Sequence, residues 1–256
     1  MRVLSAEGWL LDVVDLQELD RIVTFITPEH GLKRGVANGA RRKFSRFAGQ
    51  LQLLSRAAIR WREKDGRDLV RIDGVEVIRA PGTFLEDLEG ILYGSCMAEH
   101  LVLFAQENED SELYVRLLSS TLEALEGSPV SRALALRYFE VWTLRLAGIF
   151  PVPDECPLCA NELRSAGATL PLHGEGLVCQ ECDPGSGGAL PIRAATLEFL
   201  RTTGSRGIRD VAATKPTTST LAQVEEVCGR VRRNFLGHEL RSYGVMRATL
   251  GDRATA

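Results

Sequence analysis

The chain has 256 residues, 45% of them apolar and 25% charged, an ordinary globular composition that excludes a disordered or fibrous chain. At roughly 150 residues per domain, that length predicts two domains, or one domain with a substantial insertion. Summed over the whole chain, the formal net charge of -3 argues against a nucleic-acid binder.

Residues 1–80 read as β. Apolar and β-branched runs occur at 8–16, 21–27, 51–61 and 68–78, separated by turn signals at Pro28, Gly31, Asn38-Gly39, Gly66 and Asp73-Gly74. About five short strands in this length predict a small barrel such as an OB-fold, and a small antiparallel sandwich satisfies the same pattern. Pro81-Gly82 breaks the alternation, and helical spacing takes over at Leu85, Leu88, Leu92, Cys96 and Leu103, then from Tyr114 to Leu125. Residues 131–150 are apolar around most of a helix, which predicts a central position in a bundle, and Pro151 and Pro153 end it. After the paired cysteines come a glycine-rich turn at 184–188, a short helix near 194–203, a loop over 204–218 and an amphipathic helix marked by Leu221, Val224, Cys228, Val231 and Phe235. The tail from Thr249 is expected to fray. The organisation expected is α+β and multidomain: a barrel at 1–80, a helical domain at 81–153 and 190–248, and a module inserted at 154–189.

Glu7 and Asp12 interrupt any secretory apolar core, and no apolar run approaches the roughly 18–20 residues of a membrane span, so a cytoplasmic location is expected. Cysteines there are thiols or metal ligands. Cys96 and Cys228 sit alone in apolar patterns and read as small buried residues, whereas Cys156, Cys159, Cys179 and Cys182 form a C-x2-C-x19-C-x2-C array. Each pair makes a tight turn that aims two sulfurs at one point, and the intervening loop lets the pairs complete a tetrahedron around one Zn2+. Four thiolates leave no position for water, so such a zinc is structural. His173 and Glu175 beside the second pair faintly echo a zinc-deaminase signature, but the proline before the first cysteine is missing.

Charge divides unevenly. Residues 1–80 hold 15 basic and 11 acidic residues, and the remainder holds 16 and 23. Between 33 and 67 lie Lys33, Arg34, Arg41, Arg42, Lys43, Arg46, Arg56, Arg60, Arg62, Lys64 and Arg67, opposed only by Glu63 and Asp65, a net of +9. Phe44, Phe47 and Trp61 are interleaved. Cations that track phosphates and rings that stack on bases are what a single-strand site needs, although Phe44 and Phe47 suit a core equally well. Arg230, Arg232, Arg233, Arg241 and Arg247 form a smaller cluster around the last helix, of which the first three are expected as a second phosphate contact. No P-loop, nucleophile elbow, dinucleotide fingerprint or H-E-x-x-H occurs, so no catalytic residue is assigned and no enzyme is expected.

The run from Asp20 to Gly31, Gly35 to Arg42, Arg46 to Gly49, Leu92-Tyr93-Gly94-Ser95 and the paired cysteines resemble the bacterial RecO family of recombination mediators, specifically over about 8–200. The resemblance implies an N-terminal OB-fold, a helical domain and an inserted zinc module. It implies binding of single- and double-stranded DNA, annealing of complementary strands, and work with RecR to help RecA displace single-strand-binding protein in the nucleoid. Ala160 stands where a glycine would be expected after the first cysteine pair. Two other readings follow from the residues: a zinc-ribbon transcription or translation factor, and a zinc-dependent hydrolase or deaminase.

Overall fold

A computed structural model describes all residues except 65, 128–129, 164–166, 173–175, 184, 186 and 252–256. Asp65 of the basic run, His173 and Glu175 of the deaminase-like cluster, and Pro184 and Ser186 of the glycine-rich turn therefore lie outside the described residues.

The N-terminal strands are β1 (Arg2–Leu16), β2 (Asp20–Thr27), β3 (Gly31–Ala37), β4 (Arg56–Glu63) and β5 (Val70–Arg79). They close into a barrel in the order β1-β2-β3-β5-β4, every pairing antiparallel except β3 with β5. That is the OB-fold expected, and the sandwich is excluded. β1 serves two neighbours. Its first half pairs β4 from Arg2↔Glu63 to Trp9↔Arg56, and its second half pairs β2 from Trp9↔Ile26 to Leu16↔Asp20. A register shift between Leu10 and Asp12 bends the strand, as a bulge does in a closed barrel. Alternation sends Leu10, Val23, Phe25, Ala57, Ile59, Trp61 and Ile72 into the core.

Two strand expectations change. β1 begins at Arg2, and β4 begins at Arg56 because residues 51–55 form turns, with Leu54 in the left-handed region at φ 57°. Leu54 N–H donates to Leu10 O at 2.8 Å and Leu10 N–H to Ser55 O at 3.0 Å, which ties this segment to β1.

The chain forms two compact units, Met1–Leu122 and Glu123–Ala256. The first adds to the barrel a 3-10 turn at Thr83–Leu85, α1 (Leu88–Phe104) and most of α2 (Glu112–Gly127). The division between the two units falls inside α2. α1 starts at Asp87, whose carboxylate accepts from Gly90 N–H at 2.8 Å, and packs on β1. The outward side chains Trp9, Leu11, Ile26 and Leu32 are buried. The α1–α2 connection continues over the β2–β3 turn: Leu32 N–H donates to Gln106 O and Ser111 N–H to Pro28 O. Gly31, at φ 62°, is where this loop comes closest, and a Cβ there would lie 2.4 Å from Glu109 O.

The second unit holds α3 (Arg132–Leu146), a small hairpin of β6 (Ala168–Leu170) and β7 (Leu190–Ile192), α4 (Ala194–Ser205), α5 (Ile208–Ala213), α6 (Thr218–Leu236) and α7 (Arg241–Leu250). α3 is central, as its all-round apolar pattern predicts. Its interior also carries a charge network. Glu140, fully buried, lies 3.0 Å from both Arg137 and Arg232 and accepts from the Tyr243 hydroxyl. Arg137 reaches Glu225 at 3.1 Å, and Arg232 reaches Glu239 at 2.9 Å. One carboxylate thereby joins α3, α6 and α7.

Two outcomes follow from this network. Glu140→Ala takes from two buried guanidinium groups the carboxylate they share, leaving Arg137 with Glu225 and Arg232 with Glu239, and should cost about 3 kcal/mol in chemical denaturation. At Glu239, burial would raise the carboxyl, but hydrogen bonds and charge from Arg232, then Arg247 and Arg233, hold it at about 2. A depressed carboxyl stabilises the fold fully above its unfolded value of about 4.3, and that contribution is lost as pH falls toward the folded value. Glu239→Gln should therefore flatten the loss of stability between those two pH values, measured as urea midpoint against pH.

Candidate nucleic-acid interface and metal centre

The β3–β4 connection carries Arg41, Arg42, Lys43 and Arg46 of the basic run. It is a chain of tight turns, with Ala40 N–H donating to Ala37 O, Arg42 to Gly39 O, Ser45 to Arg42 O, Ala48 to Ser45 O and Gln50 to Phe47 O, all at 3.0–3.3 Å. It is fastened to the barrel at several points. Gly39 N–H donates to the Asp20 carboxylate at 2.7 Å, Arg41 N–H to Leu19 O at 3.0 Å, and Val77 N–H to the Gln50 side chain at 3.0 Å. Ala40 and Phe47 belong to the barrel core, and Leu51 packs against it. Phe47 is thus a core residue, while Phe44 is 91% exposed.

With the backbone held this way, Arg41, Arg42, Lys43 and Arg46 all point to solvent. Arg41 lies 3.4 Å from Asp15; Arg42, Lys43 and Arg46 have no carboxylate partner among the described residues. On the barrel wall, alternation puts Arg34 outward on β3, and Arg56, Arg60 and Arg62 outward on β4. Arg56 pairs with Glu7 at 2.6 Å, and Arg62 with Asp73 at 2.5 Å. Lys64 and Arg67, in the β4–β5 connection, are exposed. Arg71 on β5 stands directly across from Arg62 and extends the patch beyond the sequence run. The strand alternation of 70–79 was the signal that could have found it.

Two expected phosphate contacts are corrected. Lys33 is buried: its ammonium sits 2.7 Å from Glu63 and also donates to Asn108. Burial alone would raise the Glu63 carboxyl, but hydrogen bonds from Lys33 and Trp61 lower it below the usual carboxylate range. Arg232 is fully buried in the Glu140 network with its guanidinium 4.1 Å from the Tyr243 ring. A cation enclosed among its own carboxylates cannot reach a phosphate. Its neighbours Arg230 and Arg233 also have internal partners. Arg230 donates to Gly188 O at 2.6 Å and Leu170 O at 3.4 Å, and Arg233 to Glu239 at 2.8 Å.

The four cysteines converge. Their sulfurs all lie within 4.8 Å of one another, and Cys159 and Cys179 are 3.8 Å apart. The first turn is closed by Ala160 N–H to Cys156 O at 2.8 Å and Cys156 N–H to Asn161 O at 2.9 Å, the second by Cys182 N–H to Cys179 O at 3.1 Å. A backbone hydrogen bond from Cys179 holds the Cys156 thiol down at about 6, while the side chains of Cys159 and then Cys179 push Cys182 up to about 12. Four sulfurs this close cannot all ionise without a cation among them, so the cluster can hold a metal ion.

Neighbouring helices brace this module. Arg201 on α4 donates to Pro153 O at 3.2 Å and to Leu163 O, and on α6 Asn234 donates to Leu172 O at 3.0 Å while Arg230 takes the two carbonyls named above. Sequence reasoning missed Arg201 and Asn234, because their partners are backbone carbonyls distant along the chain.

Comparison with known families agrees with this architecture. The family model described as Recombination protein O N terminal matches residues 1–81, and that described as Recombination protein O C terminal matches residues 85–244. The chain belongs to the RecO family. It is 34% identical over 233 residues to the DNA repair protein RecO of Anaeromyxobacter sp. (strain K), covering 91% of each chain. It is 30% identical to that of Myxococcus xanthus over 94% of this chain and 95% of the relative, and 30% identical to that of Geobacter sulfurreducens over 78% and 80%. No helix among the described residues of this RecO-family chain is long and apolar enough to cross a membrane.

Ala160 follows the first cysteine pair in the left-handed region, at φ 57°. An L-residue pays roughly 1–2 kcal/mol for that conformation, less the extra unfolded-state freedom of glycine. Ala160→Gly should therefore stabilise the metal-loaded protein by about 0.5–1 kcal/mol in calorimetry. A lower Tm in the variant would contradict the left-handed backbone.

Proposed function

We propose that this chain is a non-enzymatic DNA repair and recombination mediator. It binds single- and double-stranded DNA through the exposed cations of the β3–β4 connection and the barrel wall, and it anneals complementary strands. With RecR it assists RecA loading onto strands coated by single-strand-binding protein, in the cytoplasm. The observation that supports this reading best is the group Arg41, Arg42, Lys43 and Arg46, presented to solvent on a connection whose backbone is tied down. Arg34, Arg56, Arg60 and Arg62 extend the contact, and Arg230 and Arg233 are a secondary one. Lys33 and Arg232 are excluded from it. In this reading the DNA-binding barrel spans 1–80, the helical domain 81–153 and 190–248, and the metal module 154–189.

The mechanism is electrostatic. Fixed cations neutralise phosphates on two strands and release their counterions, which lowers the repulsion between strands and leaves the bases to pair. Because the turns are already formed, little conformational freedom is lost when a strand arrives.

The metal fits Zn2+. A tetrahedral Zn–S length of about 2.3 Å requires sulfurs about 3.8 Å apart, and the Cys159–Cys179 separation is 3.8 Å. The zinc would supply structure alone, since Cys156, Cys159, Cys179 and Cys182 fill its shell. A catalytic zinc would need a coordination position free of cysteine, which makes the hydrolase or deaminase reading weaker. A transcription or translation factor would bind one target in preference to random oligonucleotides.

If six exposed cations meet phosphates, log K for a single strand should fall with log salt at a slope of about -4. Reversing charge at Arg41, Arg42 and Lys43 should reduce that slope by about 2 and weaken annealing of complementary strands coated with single-strand-binding protein, with Tm unchanged. Affinity indifferent to salt and to these three charges would refute the proposal. Removing zinc with a chelator should lower Tm, and substituting Cys182→Ser should lower it without a chelator.

A further inference from the structure

We infer that Phe44 is a base-stacking residue that gives the basic connection its preference for unpaired over paired DNA. The inference deepens the DNA-binding proposal above and rests on it.

Phe44 is the most exposed large apolar side chain among the described residues, at 91%. Apolar side chains left on a surface are common, but a phenylalanine ring this open exposes nearly its whole hydrophobic area to water. The chain does bury the other phenylalanine of the same connection. Phe47, three residues on, is 2% exposed and sits in the barrel core. Nothing in composition separates the two; the turns do.

Hydrogen bonding from Ser45 N–H to Arg42 O closes a four-residue turn with Lys43 and Phe44 at its two central positions. Lys43 and Phe44 are both exposed there. The next turn, from Ser45 to Ala48, sends Phe47 inward, where Phe47 N–H also donates to the Ser45 hydroxyl at 3.1 Å. The inward ring therefore anchors the outward one.

The surroundings select the ligand. The Lys43 ammonium lies over the Phe44 ring, 5.7 Å from its centroid, so one face is engaged by a cation and the other is open. Arg42 opens the same turn, and Arg46, two residues beyond Phe44, has its guanidinium over the Phe47 ring at 4.9 Å; all three cations are exposed and none has a carboxylate partner among the described residues. An apolar protein surface would not favour a ring on so basic a connection. A nucleobase attached to phosphates would, since its flat face meets the ring while its backbone meets the cations. Bases in a duplex have both faces covered by their neighbours, so only an unpaired or terminal base can offer one.

The test uses the full-length protein, its Phe44→Ala variant, and three fluorescently labelled ligands of equal length: oligothymidylate, a duplex, and a strand of abasic deoxyribose phosphates. Removing a stacking ring typically weakens a single-strand complex by roughly 5- to 150-fold. The expected result is a loss in that range for Phe44→Ala on oligothymidylate, with duplex affinity and the salt slope unchanged. Wild-type protein should lose a similar factor on the abasic strand, and the variant should bind oligothymidylate and the abasic strand alike. Equal losses on strand and duplex, or no loss on either, would overturn the assignment of Phe44 while leaving DNA binding by the cations intact. Absence of salt-dependent binding in the wild-type protein would instead overturn the DNA-binding proposal, and this inference with it.

Discussion

The burial of Phe47 in the barrel core is the contact on which the candidate interface depends. Removing a phenylalanine side chain from water is worth about 1.5–3 kcal/mol, a large sum for one residue of a connection that has no strand or helix of its own. Around it, Ala40 and Leu51 join the same core, and Asp20 accepts from Gly39 N–H. These few anchors turn a segment that composition alone would call a loop into a fixed platform. A platform of this kind can present four cations and a ring at low entropic cost, because their backbone is ordered before any ligand arrives.

Whether a basic residue belongs to that platform is decided by the carboxylates around it. Lys33 and Arg34 are adjacent in sequence and equal in formal charge. Strand alternation turns Lys33 toward Glu63, Trp61 and Asn108, and Arg34 toward solvent. Arg232 and Arg233 divide in the same way on α6, one buried against Glu140 and the other exposed beside Glu239. Enclosed cations hold elements together, and breaking such a pair is expensive because a buried charge is left behind. Exposed ones contribute little to stability and remain available to phosphates. In the second basic cluster Arg232 is an internal fastener, while Arg230 and Arg233 hold the metal module and Glu239 from partly open positions.

The features legible in the sequence were those with strong local periodicity or fixed spacing. Alternation in 21–27 and 68–78 located β2 and β5, and the cysteine spacing located the metal cluster. β3 was hidden because Gly31, Leu32 and Lys33 are all buried in a row, the α1–α2 connection covering one side and the barrel the other. That erases the alternation a half-exposed strand would show. α5 and α7 were hidden because each is short and buries few side chains, Ile208 and Val211 in one and Tyr243 and Met246 in the other. Tyr243 matters through Glu140, 103 positions earlier, a partnership no local window contains. Phe44 and Phe47 were equivalent in sequence for the same reason: the difference lies in which turn each occupies.

Charge, too, acts over a short range. Opposing charges are screened beyond about 8 Å at physiological ionic strength, so a phosphate near Arg42 responds to the side chains around that turn and very little to the rest of the chain. Two carboxylates that touch this connection are already engaged: Asp15 pairs with Arg21 and Arg41, and Asp20 accepts from the Gly39 backbone. The uncompensated charge on Arg42, Lys43 and Arg46 therefore sets the local field, and the whole-chain value of -3 does not. Contacts of this exposed kind form and break quickly, and each weakens as salt rises. An annealing protein must also let go of the duplex it has made. A stacking ring supplies the asymmetry that exposed charge lacks, because it engages a base while the base is unpaired and loses its partner once pairing and stacking in the duplex are complete.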